Sequence, residues 1–115
     1  MTATLYGIPN CDTVKKARVW LDAHGIAYTF HDHRRDGVDP DRLRGWVEQL
    51  GWERVLNRAG TTFRRLPDAD KADLDQPRAV ALMLAHPAAI RRPILAAGDV
   101  LLAGFSVDSY APLIG

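Results

Sequence analysis

The feature that most constrains this chain is the order of its first thirty-three residues. ATLYG at 3–7 is short and β-leaning, and Pro9-Asn10 ends it. From Cys11 to His24 there is no Gly or Pro, Val14, Ala17 and Leu21 repeat with helical spacing, and Gly25 stands where a C-terminal cap belongs. AYTFHDH at 27–33 then has the β-branched and aromatic content of a second strand. Strand, helix, strand with short links predicts a parallel βαβ unit, because parallel neighbours need a crossover between them.

The rest of the chain alternates differently. Asp39-Pro40 reads as an N-cap and first-turn proline, and Leu43, Trp46, Val47 and Leu50 trace one apolar face up to Gly51. A short helical piece at 52–57 runs into a turn-rich loop, Arg58-Ala59-Gly60-Thr61-Thr62. Asp75 caps a helix from Gln76 to Ala85 with Val80, Met83 and Leu84 facing inward, and His86-Pro87 stops it. PILAA at 93–97 and VLLAG at 100–104, split by Gly98-Asp99, predict a β-hairpin, and a last helical turn or two follows Ser106. The predicted fold is α/β and thioredoxin-like: β-α-β, a helical insertion, then β-β-α, around a small mixed sheet. At 115 residues the expectation is one domain spanning 1–115.

Charge and cysteine content bound the function. With 15 Lys+Arg against 14 Asp+Glu, no global field recruits nucleic acid or an anionic membrane, so any anion site is local. No segment reaches the roughly 18 apolar residues of a membrane span. Cys11 is the one cysteine, which excludes an intrachain disulfide and a four-cysteine zinc site and suits a reducing, cytoplasmic setting. Cys11 stands at a predicted helix start, where free N–H groups and the helix dipole favour an anion such as a thiolate; the alternative is a small buried apolar residue. Asp12 opposes a thiolate there, Lys15 either offsets Asp12 or is simply a solvated charge, and Thr13 either lends its hydroxyl or merely fills the first turn. Arginines crowd at Arg58, Arg64 and Arg65 and again at Arg91 and Arg92, most of them expected as solvated charges. Trp20, Trp46 and Trp52 are expected in core or half-buried positions.

Three stretches carry a resemblance: Gly7-Ile8-Pro9-Asn10-Cys11-Asp12-Thr13, Val55-Leu56-Asn57-Arg58, and Met83-Leu84-Ala85-His86-Pro87-Ala88-Ala89-Ile90-Arg91-Arg92-Pro93-Ile94. They resemble the ArsC-like, glutaredoxin-linked arsenate reductases, and within them the Spx/YffB-like branch, across about residues 3 to 110. The resemblance implies a thioredoxin-like domain whose cysteine attacks a sulfur or arsenic centre. Cys11 matches the nucleophile, Arg58 and Arg92 match two anion-binding arginines, and Pro93 matches a proline preceded by a cis peptide bond that shapes the substrate groove. Two guanidiniums with the N–H groups of Thr13 and Val14 would make a compact anion receptor. His86 fits a helix-stop residue packing its ring better than a base.

The sequence also departs from that pattern. The family histidine four residues before the nucleophile is Gly7 here, the serine three residues after it is Val14, and a third arginine is replaced by Gly104 or Phe105. The expected function is a glutathione-dependent thiol reductase: with no second cysteine, an outside thiol must resolve any mixed disulfide on Cys11. No cofactor is expected, glutathione being a co-substrate whose carboxylate pairs with Arg92 or Arg58 while its extended chain lies along the backbone beside Pro93. The alternatives are arsenate reduction proper, with a small oxyanion as ligand and glutaredoxin as partner, and a non-catalytic Spx-like module that binds RNA polymerase through the C-terminal domain of its α chain. For that module Gly60 and its neighbouring arginines are the candidate surface.

Overall fold

The computed structural model describes residues 2–114. The elements run β1 (Ala3–Gly7), α1 (Asp12–Ala23), β2 (Tyr28–Asp32), α2 (His33–Asp36), α3 (Pro40–Leu50), α4 (Trp52–Val55), α5 (Thr61–Arg64), α6 (Asp68–Lys71), α7 (Gln76–Ala85), β3 (Ile94–Ala97), β4 (Val100–Ala103) and α8 (Val107–Tyr110). The chain divides into two compact units, one made of Met1–Gly37 with Arg92–Gly115 and the other of Val38–Arg91.

The first unit holds the sheet, ordered β2-β1-β3-β4. β1 and β2 are parallel, with Leu5 opposite Phe30, while β3 runs antiparallel to both β1 and β4. Alternation along the strands decides what each face meets. Ala3, Leu5, Leu95 and Ala97 bury one face against Val14, Ala17 and Leu21 of α1 and Tyr110 of α8. The i, i+3, i+7 spacing read from the sequence is thus the buried stripe of α1, and Gly25, at φ +66°, lets the chain turn back toward β2. Ser106 and Ser109 cap α8 reciprocally: each hydroxyl accepts the other residue's N–H. This β-α-β and β-β-α pairing is the thioredoxin-like arrangement that the sequence predicts.

The second unit is the helical insertion. Asp39 and Asp75 accept the N–H groups of Arg42 and Arg78 and so start α3 and α7, each with a proline in its first turn. Leu43, Trp46 and Val47 of α3 join Val55, Leu56, Val80 and Met83 in the buried interior. An isolated bridge pairs Leu56 with Ile90, and the Asn57 N–H donates to the Ala89 carbonyl.

Four details differ from the sequence reading. β2 stops at Asp32 because its carboxylate accepts the Arg34 N–H and opens α2 at His33. The loop expected at 58–62 turns only through Gly60, after which Thr61 enters α5, and α6 follows. Four-residue helices hold too little periodicity to announce themselves. On α7 it is Leu82 that is buried, while Leu84 is half-buried in a groove beside Arg44 and Glu48. His86 does stop α7, but the residue is exposed. Trp46 is buried and Trp20 and Trp52 are half-buried, as expected. No helix among the described residues is long and apolar enough to cross a membrane.

Candidate functional site

Cys11 is the N-cap of α1, in extended backbone at φ −100° and ψ 127°, and its side chain makes no capping hydrogen bond. The first intrahelical bond is the Lys15 N–H donating to the Cys11 carbonyl at 2.9 Å. The N–H groups of Asp12, Thr13 and Val14 therefore precede that bond at the positive end of the helix dipole. Cys11 is half-buried and packs on the cluster formed by β1, β3 and α1. Of the next two residues in the first turn, Asp12 is exposed and Thr13 half-buried.

The sheet register brings a second segment to the same end. Tyr6 pairs with Ile94 at the end of the antiparallel ladder, so Gly7 and Pro93 are the residues next along the chain from that last pair. The Arg92-Pro93 peptide is cis, as the resemblance implied, and the Pro93 carbonyl accepts the Gly104 N–H at 2.8 Å. Among the described residues no main-chain hydrogen bond engages the N–H or C=O of Arg92. The two adjacent arginines divide their tasks. Arg91 is tied into the insertion, its Nε donating to the Arg54 carbonyl at 2.8 Å and its N–H to the Val55 carbonyl. Arg92 belongs to the sheet unit, half-buried, with no such tie.

Arg58 belongs to the insertion, where its guanidinium lies over the Trp52 ring, 5.4 Å from the centroid. Arg64 and Arg65 are exposed there, as expected of solvated charges. Gly60 is closely packed: a Cβ on it would meet the Asn57 side-chain nitrogen at 2.7 Å.

The structure adds a cluster that the sequence reading passed over. Tyr6, His31 and His33 share the sheet face opposite α1, since Tyr6 pairs with His31 and residues two apart point the same way. The His33 ring is stacked on Tyr6 at 6.4 Å and lies 5.9 Å from the His31 ring. His31 is held by Nε2 donating to the Gly37 carbonyl at 2.8 Å. His33 is buried, and its pKa falls to about 4, first through burial and then through the nearby charges of His31 and Arg92. It stays neutral at physiological pH. The sequence signal was the His31-Asp32-His33 alternation at the end of a strand that leads into the site.

Comparison with known proteins places the chain by family and fold. Among solved structures, a YFFB protein superposes with a TM-score of 0.95 at 54% identity, over 98% of this chain and 99% of that one. An uncharacterised protein of Haemophilus influenzae is 41% identical, covering 93% of this chain and 94% of its own length. The global transcriptional regulator Spx of Streptococcus mutans is 27% identical over 91% of this chain and 77% of that protein. The ArsC family model matches residues 6–113, and the chain belongs to the ArsC family.

Proposed function

We propose that this protein is a glutathione-dependent thiol reductase with Cys11 as its nucleophile. The observation that carries the reading is the place of Cys11: a half-exposed N-cap whose sulfur makes no capping bond, ahead of three helix N–H groups, in a chain with no other cysteine. The reductase class is the one borne in the names of arsenate reductase-related structures similar to this chain, one of them from Brucella melitensis at 47% identity.

In this reading the Cys11 thiolate attacks the glutathione sulfur of a mixed disulfide, R–S–S–G. The old S–S bond breaks and its electron pair leaves on RS⁻, which takes a proton from water. A second glutathione thiolate then attacks the Cys11–glutathione bond, releasing glutathione disulfide and restoring the Cys11 thiolate. The sum is RSSG + GSH → RSH + GSSG. The N–H and C=O of Arg92, which take no main-chain hydrogen bond among the described residues, suit an extended glutathione backbone laid beside them like an added strand. The Arg92 guanidinium suits its carboxylate, and the helix N–H groups and Thr13 hydroxyl suit charge developing near the sulfur. Arg58 enters through the family resemblance, and Arg58→Ala measures whether glutathione binding depends on it.

Two features set arsenate aside. Val14 offers no hydroxyl where the family has a serine, and Gly7 offers no histidine. The Spx-like alternative rests on similarity to the regulators; a cysteine-pair switch is impossible with one cysteine.

The test is turnover of the cysteine–glutathione mixed disulfide, read as NADPH consumption through added glutathione reductase. Wild type is expected to be active and Cys11→Ser inactive. Equal rates in the two proteins would overturn the proposal.

A further inference from the structure

One groove lies outside the chemistry described above. Lys15, Lys16, Val19, Trp20, Ala23 and Phe105 line a shallow depression of about 430 Å³ on the sheet unit. Its walls are apolar and its rim is cationic. Val19 is 68% exposed in mid-helix, more than any other large apolar side chain described. Two of its lining rings pack on buried Tyr110, which meets Trp20 edge-on at 5.6 Å and Phe105 edge-on at 4.7 Å. Among the described residues Lys15 and Lys16 form no ion pair, so both charges are uncommitted. Asp22, the acidic residue further along α1, is not among the residues lining this groove and with Arg18 lines a separate depression. The groove begins one helical turn after Cys11, because Lys15 is the residue whose N–H bonds to the Cys11 carbonyl.

An apolar slot with a cationic rim fits an apolar side chain flanked by carboxylates. We infer that this groove docks the protein half of a protein–glutathione mixed disulfide, through an apolar residue bordered by acidic ones, and so selects acidic thiol proteins as substrates for Cys11. The inference rests on the reductase reading, since it names the R group of R–S–S–G. The chemistry is unchanged: Cys11 takes the glutathione sulfur, and the docked protein leaves as a thiolate that water protonates.

The test uses two synthetic peptides, one with a Leu-Phe pair between glutamates next to a cysteine, the other with lysines in place of the glutamates. Both are supplied as glutathione mixed disulfides, beside the cysteine–glutathione disulfide as a small substrate. Wild type is expected to prefer the glutamate peptide about tenfold in kcat/KM. Val19→Glu and Lys16→Glu are each expected to erase most of that preference while leaving the small substrate's kcat/KM unchanged, which also shows that the variants fold. The amide NMR signals of Val19 and Ala23 are expected to shift on adding the glutamate peptide with serine for cysteine. Equal kcat/KM for the two peptides, or unshifted amides, would overturn the inference. So would shifts that grow with protein concentration alone, which would give the groove to a second copy of the chain. If no disulfide is turned over the reductase reading falls, while the amide shifts still decide for or against the groove.

Discussion

A Cβ placed on Gly7 would lie 2.8 Å from Cγ2 of Val14. Val14 is fully buried in the first turn of α1 and, being β-branched, has essentially one χ1 rotamer in a helix, so its methyl cannot swing away. These are the two positions near Cys11 at which the resemblance to arsenate reductases implies other residues, and the close approach couples them physically. With Val14 in place, any side chain at position 7 forces its surroundings to shift. Gly7→His is therefore expected to cost about 1–3 kcal/mol from overpacking. Combining it with Val14→Ser is expected to recover part of that cost, with a coupling energy of about 1 kcal/mol. Urea unfolding of the two single variants and the double variant measures it; strict additivity would show that the positions are independent.

The His33 ring gives the protein an acid sensitivity of defined sign. Folded, its pKa is about 4; unfolded it returns to 6.5. Above pH 6.5 neither state binds the proton. Between 6.5 and 4 only the unfolded chain does, so stability is lost as pH falls through this window, by about 2–3 kcal/mol at its lower end. His33→Phe keeps an aromatic ring against Tyr6 and removes the titration. The drop in unfolding free energy between pH 7 and pH 4.5 is expected to be smaller in this variant than in wild type, and an unchanged drop would assign the acid sensitivity elsewhere.

Legibility in the sequence follows from how much signal each element carries. α1, α3 and α7 announced themselves because each repeats apolar residues over about three turns, and aspartates cap two of them. The hairpin was marked by Gly98-Asp99, where Gly98 takes φ +59°. Cys11, Thr13, Arg92 and Pro93 stand out as candidates in the sequence because they lie in contiguous motifs flanking a strand end. Tyr6, His31 and His33 do not, because the cluster exists only once β1 and β2 lie in register, and nothing in a linear string pairs residue 6 with residue 31. The short helices α2, α5 and α6 are set by single capping groups and turns, below what periodicity resolves.

Tyr110 is fully buried, and its hydroxyl reaches no hydrogen-bond partner among the described residues. Burial pushes its pKa upward, since the phenolate would lie among Trp20, Phe105 and aliphatic side chains. Removing a buried, unsatisfied hydroxyl while keeping the ring relieves a desolvation cost. Tyr110→Phe is expected to stabilise the protein by about 1 kcal/mol, seen as a higher urea midpoint at unchanged slope. A loss of stability would reveal a hydrogen bond made by the hydroxyl.

Arg91 and Arg92 are adjacent yet separable by experiment. Arg91 bonds to the Arg54 carbonyl through its side chain, so Arg91→Ala is expected to cost about 0.5–1.5 kcal/mol of stability and to leave KM for the mixed disulfide unchanged. Arg92 carries the proposed carboxylate contact, so Arg92→Ala is expected to raise that KM about tenfold, as loss of a charge-assisted hydrogen bond does, with little change in stability. An independent readout comes from the buried histidine. The Arg92 cation helps depress the His33 pKa, so Arg92→Ala is expected to raise it, and an NMR titration of the His33 ring follows the change. A raised KM with an unmoved titration would place the Arg92 guanidinium away from His33. A moved titration with an unchanged KM would leave Arg92 beside the histidine and remove it from substrate binding.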